Sequence, residues 1–406
     1  MKDFYNKYAE LAIRFGVNLQ KGQHLEIICP TECEDFGLTI AEEGYKRGAK
    51  TVHITWQNQK ADRLNYIYAK TEDLCQIPKW FVMQKEALID ENACYVCIDS
   101  DDPMAYSGLD EEKISKHISA KVKAIKKYHD GVMANAIRWC VVSAPSKKWA
   151  DMVFDGDVNS VEKLTNAIAM TMRLNEPDPV LSWTNHVKKL NAHADYLNSK
   201  NYSELHFTSS NGTNLHVGLC DDHVWCPAVE KAQDGVEFIA NMPTEEVFTA
   251  PHKNRVNGVL KSALPLAVNG NVVDNFTITF KDGKITDFTA EKGYETLKQL
   301  IETDEGTHYL GEVAIIGKNS PIAKSGILFY STLFDENASC HLAIGKGYPS
   351  SVKNGFNLSE KELLEKGLND SVEHVDFMIG TADTKIIATT KTGEKEVIFD
   401  NGEWTI

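Results

Sequence analysis

The sequence lacks any long apolar run. Nowhere in its 406 residues is there a stretch that approaches the roughly 20 consecutive apolar residues of a membrane-spanning helix. The N-terminus, Met-Lys-Asp-Phe-Tyr-Asn-Lys, also lacks the apolar centre of a signal peptide. We therefore expect a cytoplasmic protein that has no membrane partner.

Positive charge is in deficit. The chain has 43 Lys and Arg residues against 58 Asp and Glu residues, which gives a net charge of -15. Such a chain repels a phosphate backbone unless its basic residues gather on one face. The densest basic stretch, residues 113–127, carries Ile114, Ile118, Val122 and Ile125 at helical spacing, which predicts a helix with a buried apolar face and solvated lysines. We expect no nucleic-acid partner.

Several catalytic signatures are also missing. The chain has no Gly-x-Ser-x-Gly elbow, no His-Glu-x-x-His motif and no Gly-x-x-x-x-Gly-Lys-Ser/Thr phosphate loop, so the mechanisms that use them have no support. Cys94 and Cys97 have redox spacing but lie in an apolar strand-like run, which predicts reduced core thiols. Cys220, His223 and Cys226 lack a fourth zinc ligand at matching spacing, so we interpret them as structural residues.

Apolar strand-like runs alternate with helical stretches in the first half of the chain. We predict strands at residues 24–29, 51–56, 93–98 and 137–143. Near-continuous apolar strands separated by helices are typical of a parallel sheet that is covered on both faces. The pattern predicts a doubly wound α/β domain.

The segment Asn175-Glu-Pro-Asp-Pro179 marks a change of character, because its two prolines stop a helix. We place a domain boundary there, with an N-terminal α/β domain at residues 1–178 and a C-terminal domain at residues 179–406. After a helix at 180–197, this second domain is expected to be mainly antiparallel β with a few helices, one of them near 292–303. The predicted hairpin turns are Asn211-Gly212, Asn269-Gly270 and Asp282-Gly283.

Four polar interruptions of apolar segments fall in the C-terminal domain. An acid inside an apolar strand is costly to bury without a partner, and a cation is one such partner. Neighbours on a strand face opposite sides, so only one member of an adjacent acidic pair can point into a shared pocket, and the pattern leaves that choice open. Residues two apart share a face. The polar positions are Glu245 and Glu246, then Glu312, then Glu336 and His341, and finally His374 and Asp376.

These side chains offer only carboxylates and imidazoles. The set suits zinc, manganese or cobalt, and its carboxylates exceed what one tetrahedral ion needs, so two ions that share a carboxylate would account for the excess. Two other functions remain open at this point. The doubly wound pattern is compatible with a nucleotide-dependent enzyme, although Cys29-Pro-Thr-Glu-Cys33 replaces the glycine fingerprint after the first strand. A non-catalytic binding protein would hold coordinatively closed ions.

At these residues the chain resembles the family of two-metal aminopeptidases that includes thermophilic aminopeptidase T, AmpS and PepS. Four motifs in the same order carry the resemblance. They are Met-Pro-Thr-Glu-Glu-Val-Phe-Thr-Ala-Pro at 242–251, Gly-Glu-Val-Ala at 311–314, Asp-Glu-Asn-Ala-Ser-Cys-His at 335–341 and His-Val-Asp-Phe-Met-Ile-Gly at 374–380. The resemblance extends over the whole chain, including Arg138-Trp139 and Lys148-Trp149-Ala150.

The resemblance implies a metal-dependent aminopeptidase that removes the N-terminal residue from short peptides through a metal-activated water. It implies a homodimer with two divalent ions per subunit, which could be zinc, cobalt, manganese or magnesium. It places Tyr348 beside the metals, makes Glu336 a candidate proton shuttle as well as a ligand, and makes Glu312 the bridge between the ions. The metal ligands that it implies are Glu246, Glu312, Glu336, His341, His374 and Asp376.

Overall fold

The computed structural model describes residues 1–102, 104–227, 229–268 and 271–406, so the predicted turn at Asn269-Gly270 lies outside the described residues. The helices are α1 (Lys2–Leu11), α2 (Glu34–Lys46), α3 (Gln59–Tyr68), α4 (Thr71–Leu74), α5 (Lys79–Asp90), α6 (Glu111–Ala124), α7 (Lys126–Met133), α8 (Lys147–Val153), α9 (Ser160–Thr171), α10 (Pro179–Lys200), α11 (Tyr294–Ile301), α12 (Pro321–Ser325), α13 (Thr332–Asp335) and α14 (Glu360–Glu365).

The strands range from two to eleven residues in length. They are β1 (His24–Pro30), β2 (Thr51–Gln57), β3 (Cys94–Asp99), β4 (Trp139–Ser143), β5 (Tyr202–Thr208), β6 (Asn214–Leu219), β7 (Cys226–Pro227), β8 (Glu230–Lys231), β9 (Glu237–Phe238), β10 (Val247–Thr249), β11 (Pro251–Lys261), β12 (Leu266–Val268), β13 (Asn271–Lys281), β14 (Lys284–Lys292), β15 (Leu310–Ile315), β16 (His341–Gly345), β17 (His374–Met378), β18 (Lys385–Thr390), β19 (Lys395–Asp400) and β20 (Glu403–Trp404).

The chain divides into two compact units. The first comprises Met1–Trp183 and Val229–Pro243, and the second comprises Thr184–Ala228 and Thr244–Ile406. The domain boundary that we placed after residue 178 stays a prediction. Within the described residues, no helix is both long enough and apolar enough to cross a bilayer.

The first unit contains a four-stranded parallel sheet in the order β2-β1-β3-β4. Because β2 and β3 lie on opposite sides of β1, the chain reverses its winding direction at β1, which is the doubly wound arrangement. Strand β1 is buried on both faces: Ile27 and Cys29 on one face are 0% exposed, and Glu26 and Ile28 on the other are 4% and 8% exposed. The predicted α/β class of this half is confirmed.

One prediction in this unit is wrong in part. Helix α6 forms in the basic stretch, but Ile118 and Val122 are 52% and 46% exposed and are not on a buried face. Only Ile125 is fully packed, in a cluster with Tyr95 and Tyr128. The chain leaves helical geometry at Ile125 (φ -105°, ψ 30°). Ile125 therefore packs into the core, while Ile118 and Val122 of the preceding helix remain exposed.

The second unit is built from two antiparallel sheets that share one core, which confirms the predicted antiparallel character. One sheet runs β12-β13-β11-β6-β5-β18-β19-β20, with β14 beside β13, and the other runs β17-β16-β15-β10-β7. Side chains from both sheets form a single buried cluster, for example Leu205 and Ile386 of the first sheet with Val313 and Leu342 of the second. The five-stranded sheet therefore has one face committed to the core, and its other face is available for polar side chains.

Candidate metal centre

Strand pairing brings the polar residues of β15, β16 and β17 onto one face. Ala314 pairs with His341, Ala343 pairs with Asp376, and Gly345 pairs with His374. Side chains alternate between faces along a strand, so His341, His374 and Asp376 emerge together while Leu342 and Phe377 enter the core. His374 and Asp376, which are two residues apart, therefore lie on the same strand face, as their spacing predicts.

A β-bulge in β15 directs Glu312 toward the same face. Leu310 pairs with Ile344, but Glu312 pairs with Ala343, so the register shifts by one residue at Gly311. Leu310 consequently stays in the core with Ile344, although Glu312 is only two positions away and faces the other side. A Cβ at position 311 would clash with the carbonyl oxygen of Lys346, which is why the bulge requires glycine there.

Glu312 lies between two imidazoles. Its Oε1 is 3.3 Å from Nε2 of His341, and its Oε2 is 3.8 Å from Nε2 of His374. Two groups of potential metal ligands share this carboxylate, one with Glu246 and His341 and the other with His374 and Asp376, and within each group the ligand atoms lie within 4.8 Å of one another. The two groups together contain five of the six predicted ligands, and Glu312 belongs to both.

Backbone carbonyls orient both imidazoles. Nδ1 of His341 lies 2.8 Å from the carbonyl oxygen of Glu336, and Nδ1 of His374 lies 2.7 Å from that of Lys346. A carbonyl only accepts, so Nδ1 must carry the proton and donate it in each ring. In the neutral rings the lone pair is then on Nε2, which points at the carboxylates. Histidine ligands of metal ions are commonly held in this way.

Glu246, rather than Glu245, faces this cluster. Oε2 of Glu246 lies 3.2 Å from Nε2 of His341, whereas the carboxylate of Glu245 lies 3.7 Å from Nε2 of His186. The two adjacent carboxylates therefore have different imidazole neighbours. The sequence pattern left open which of the two glutamates points into the pocket. In the structure it is Glu246 that lies beside His341.

Glu336 lies beside the two groups rather than within them. Its carboxylate is close enough to interact electrostatically with Asp376, Glu246, Glu312 and His341. Nδ2 of the fully buried Asn337 donates to Glu336 Oε1 over 3.4 Å and to the carbonyl oxygen of Leu333 over 3.2 Å. The Asn337 Oδ1 atom accepts a 2.8 Å hydrogen bond from the Glu245 backbone N–H. This one amide therefore connects the segment of Glu336 to the segment of Glu246.

Tyr348 lies beside the same carboxylates. Its ring centroid is 4.6 Å from that of His374 and 6.2 Å from that of Phe248, whose strand position is on the same face. Burial raises the pKa of Tyr348 well above its usual value, and the negative charges of Glu312 and Asp376 raise it further. A raised pKa keeps the phenol protonated, so it can donate a hydrogen bond at this site.

Crowding and burial together disturb the ionisation of the cluster. Burial raises the pKa of Glu312 and, more strongly, that of Glu336, and the charge of Asp376 adds to both. Burial alone would lower the pKa of each imidazole, but neighbouring carboxylates raise that of His341 well above normal and that of His374 to about 10. Burial would raise the pKa of Asp376, yet the charge of His374 lowers it. These shifts show that several negative charges are crowded into a buried site.

Divalent cations fit this site. Oε2 of Glu246 and Oδ1 of Asp376 are buried and accept no well-aligned hydrogen bond from the described residues, although imidazole Nε2 atoms lie 3.2 and 3.4 Å from them. Buried polar atoms of this kind require a partner such as a metal ion. When all four are ionised, the carboxylates of Glu246, Glu312, Glu336 and Asp376 carry four negative charges, which two divalent ions would balance with both histidines neutral.

Sequence reasoning missed the residues that hold the ligands. Asn337 and Asp335 lie inside a quoted motif, but neither had been given a role. Asp335 is buried and accepts hydrogen bonds from the backbone N–H groups of Phe329 and Ser331 at 2.7 and 3.1 Å. The available signal was the Asp-Glu-Asn triplet at 335–337, which directly follows the apolar residues Leu333 and Phe334. Polar side chains in such a segment need hydrogen-bond partners if they are buried.

Comparison with known proteins gives a consistent result over the whole chain. The model of the peptidase M29 family, described as thermophilic metalloprotease, matches residues 1–404. Aminopeptidase AmpS of Bacillus subtilis is 43% identical over 98% of both chains. Aminopeptidase 2 of Geobacillus stearothermophilus is 42% identical over 98% of this chain and 97% of its own. The solved structure of wild-type AmpT from Thermus thermophilus superposes with a TM-score of 0.93 at 34% identity, covering 100% of both chains. The resemblance and the fold class are confirmed.

Exchange of the two adjacent glutamates for glutamine tests the ligand geometry. We expect Glu246→Gln to weaken metal binding at least tenfold, because it removes a charge from the group that contains His341. Glu245→Gln is the matched control and should keep the metal content of the parent protein. Metal titration followed by calorimetry measures both. Equal loss in the two variants, or loss only in Glu245→Gln, contradicts the assignment.

Proposed function

We propose that this chain, which belongs to the M29 family of metalloproteases, removes the N-terminal residue from short peptides at a site that holds two divalent ions. By family and by its relatives it is a metalloaminopeptidase, a hydrolase that acts on peptides. The observation that carries the two-metal proposal is the position of Glu312, whose two carboxylate oxygens each face a different imidazole.

The proposed ligands divide into two sets. Glu246, Glu312 and His341 would hold one ion, and Glu312, His374 and Asp376 would hold the other. Glu336 adjoins both sets. When bound, zinc, cobalt, manganese or magnesium would supply Lewis-acid chemistry, lowering the pKa of a water molecule and polarising the scissile carbonyl. The remaining steps fall to the side chains of the chain itself.

Tyr348 is the proposed donor to the substrate's carbonyl oxygen as negative charge develops there. Its ring lies against His374 and its phenol is buried among the ligands, so it requires no solvent reorganisation during the reaction. Tyr348→Phe keeps the ring and removes the donor. We expect kcat to fall by roughly 10²-fold or more with bound metal unchanged. A variant with parental kcat would remove Tyr348 from the mechanism.

Glu336 is the proposed carrier of the proton to the leaving amine. Burial and the neighbouring negative charges raise its pKa, which favours a carboxyl group that can hold a proton. The Asn337 amide donates to one of its oxygens and limits its orientation. Glu336 can therefore take a proton at one oxygen while the other remains positioned.

Metal dependence and N-terminal specificity are tested together. Metal-stripped protein should release no amino acid from short peptides, and addition of zinc, cobalt, manganese or magnesium should restore release. N-acetylation of the same peptides should abolish turnover, because the free ammonium group is then absent. Chromatography of the released residue measures both effects. Release of internal or C-terminal fragments would contradict an aminopeptidase, and full activity in the stripped protein would contradict metal dependence.

A homodimer in the cytoplasm is the proposed working form. The family resemblance supports the dimer. The nine free cysteines support a reducing compartment, because secreted chains usually pair their thiols. Light scattering on protein from the cytosolic fraction should give about twice the chain mass of 45.4 kDa. A monomer mass, or recovery outside that fraction, contradicts this proposal.

A further inference from the structure

A small cavity of about 40 Å³ opens directly beside the carboxylates of Glu336 and Asp376. Its remaining walls are formed by Pro265, Leu266, Ala267, Tyr330 and Met378, and by the polar residues Ser331, Thr332 and Asp335. We propose that this cavity receives the side chain of the substrate's first residue and that Tyr330 limits the size of the side chain it accepts. The inference rests on the proposed function, because it assigns specificity to that same site.

The volume selects small aliphatic side chains. A cavity needs about 10–15 Å³ to hold one water molecule, so this one holds roughly three. That space suits the side chain of alanine, valine or leucine, whereas an indole ring does not fit unless a wall moves. Substrates with a small aliphatic first residue are therefore the expected class.

The polar groups of the cavity do not favour a basic side chain. Asp335 also lines the cavity, but its carboxylate accepts the backbone N–H groups of Phe329, Tyr330 and Ser331. The other two carboxylates, Glu336 and Asp376, belong to the proposed metal site. A lysine or arginine side chain would therefore lose its hydration in the cavity without gaining a free anion.

Backbone geometry holds Tyr330 in place. Its φ of 54° is in the left-handed region, which a bulky residue adopts only when its surroundings impose it. Here the imposing group is Asp335, which is 7% exposed and binds the backbone on both sides of Tyr330. The backbone that carries the tyrosine is consequently held at the wall of the cavity.

The first residue of the substrate fits this cavity better than the second. An aminopeptidase binds the end of a chain, so the side chain next to the scissile carbonyl on that side has nothing beyond it. The residues after the scissile bond must continue toward solvent, and a cavity of this size offers no such path. The small pocket beside the ligands therefore matches the terminal residue.

The test replaces Tyr330 with glycine, which adopts a positive φ without strain and so keeps the backbone while removing the wall. Tyr330→Phe retains the ring. Tyr294→Gly, at an exposed tyrosine of α11, is the control for a lost tyrosine elsewhere in the unit. Each protein is loaded with metal and assayed for kcat/KM on two tripeptide series, one varying the first residue and the other varying the second. Melting temperature and metal content report whether fold and site are intact.

We expect the parent protein to prefer leucine over tryptophan at the first position, and Tyr330→Gly to reduce that preference roughly tenfold or more. Tyr330→Phe and Tyr294→Gly should keep the parental preference. An unchanged preference in a folded, metal-loaded Tyr330→Gly protein overturns the inference, as does a change confined to the second-residue series. A parent protein that cleaves neither series with any metal overturns the proposed function itself, which is a separate result.

Discussion

The second unit is organised around an electrostatic cost. Carboxylate oxygens of Glu246, Glu312 and Asp376 lie within 3.9 Å of the single Nε2 atom of His341. Ligand oxygens of Glu246 and Glu312 lie within 4.8 Å of each other, a separation at which like charges repel by about 3 to 4 kcal/mol at an effective dielectric constant of 20. Burial adds to that cost. Bound cations would offset this cost, so we expect metal binding and the stability of this site to be coupled.

The same cost explains why so many uncharged groups surround the ligands. The carbonyl oxygens of Glu336 and Lys346 fix the two imidazoles, and Asn337 connects the segments that carry Glu336 and Glu246. Each contact restricts a ligand that repulsion would otherwise move away. A divalent ion then meets donors that are already gathered, which reduces the reorganisation needed on binding.

Much of this could be predicted from the sequence, because strand periodicity is regular. The apolar runs of the first half predicted a doubly wound sheet, and the spacing of His374 and Asp376 predicted two side chains on one face. The sequence could not decide between Glu245 and Glu246, since that depends on which face of the sheet containing β10 packs into the core. It also could not show that Ile118 and Val122 of α6 are exposed, because helical periodicity identifies an apolar stripe without identifying what covers it.

The position of Glu312 shows the limit of periodicity most clearly. In the run Leu310-Gly-Glu-Val-Ala-Ile315, strict alternation would put Leu310 and Glu312 on the same face. One of them would then be misplaced, either a leucine among the ligands or a carboxylate in the core. The bulge at Gly311 removes the conflict by shifting the register against β16 by one residue. A one-residue shift exchanges the two faces of a strand. This local irregularity therefore allows one strand to contribute to the core at Leu310 and to the proposed metal bridge at Glu312.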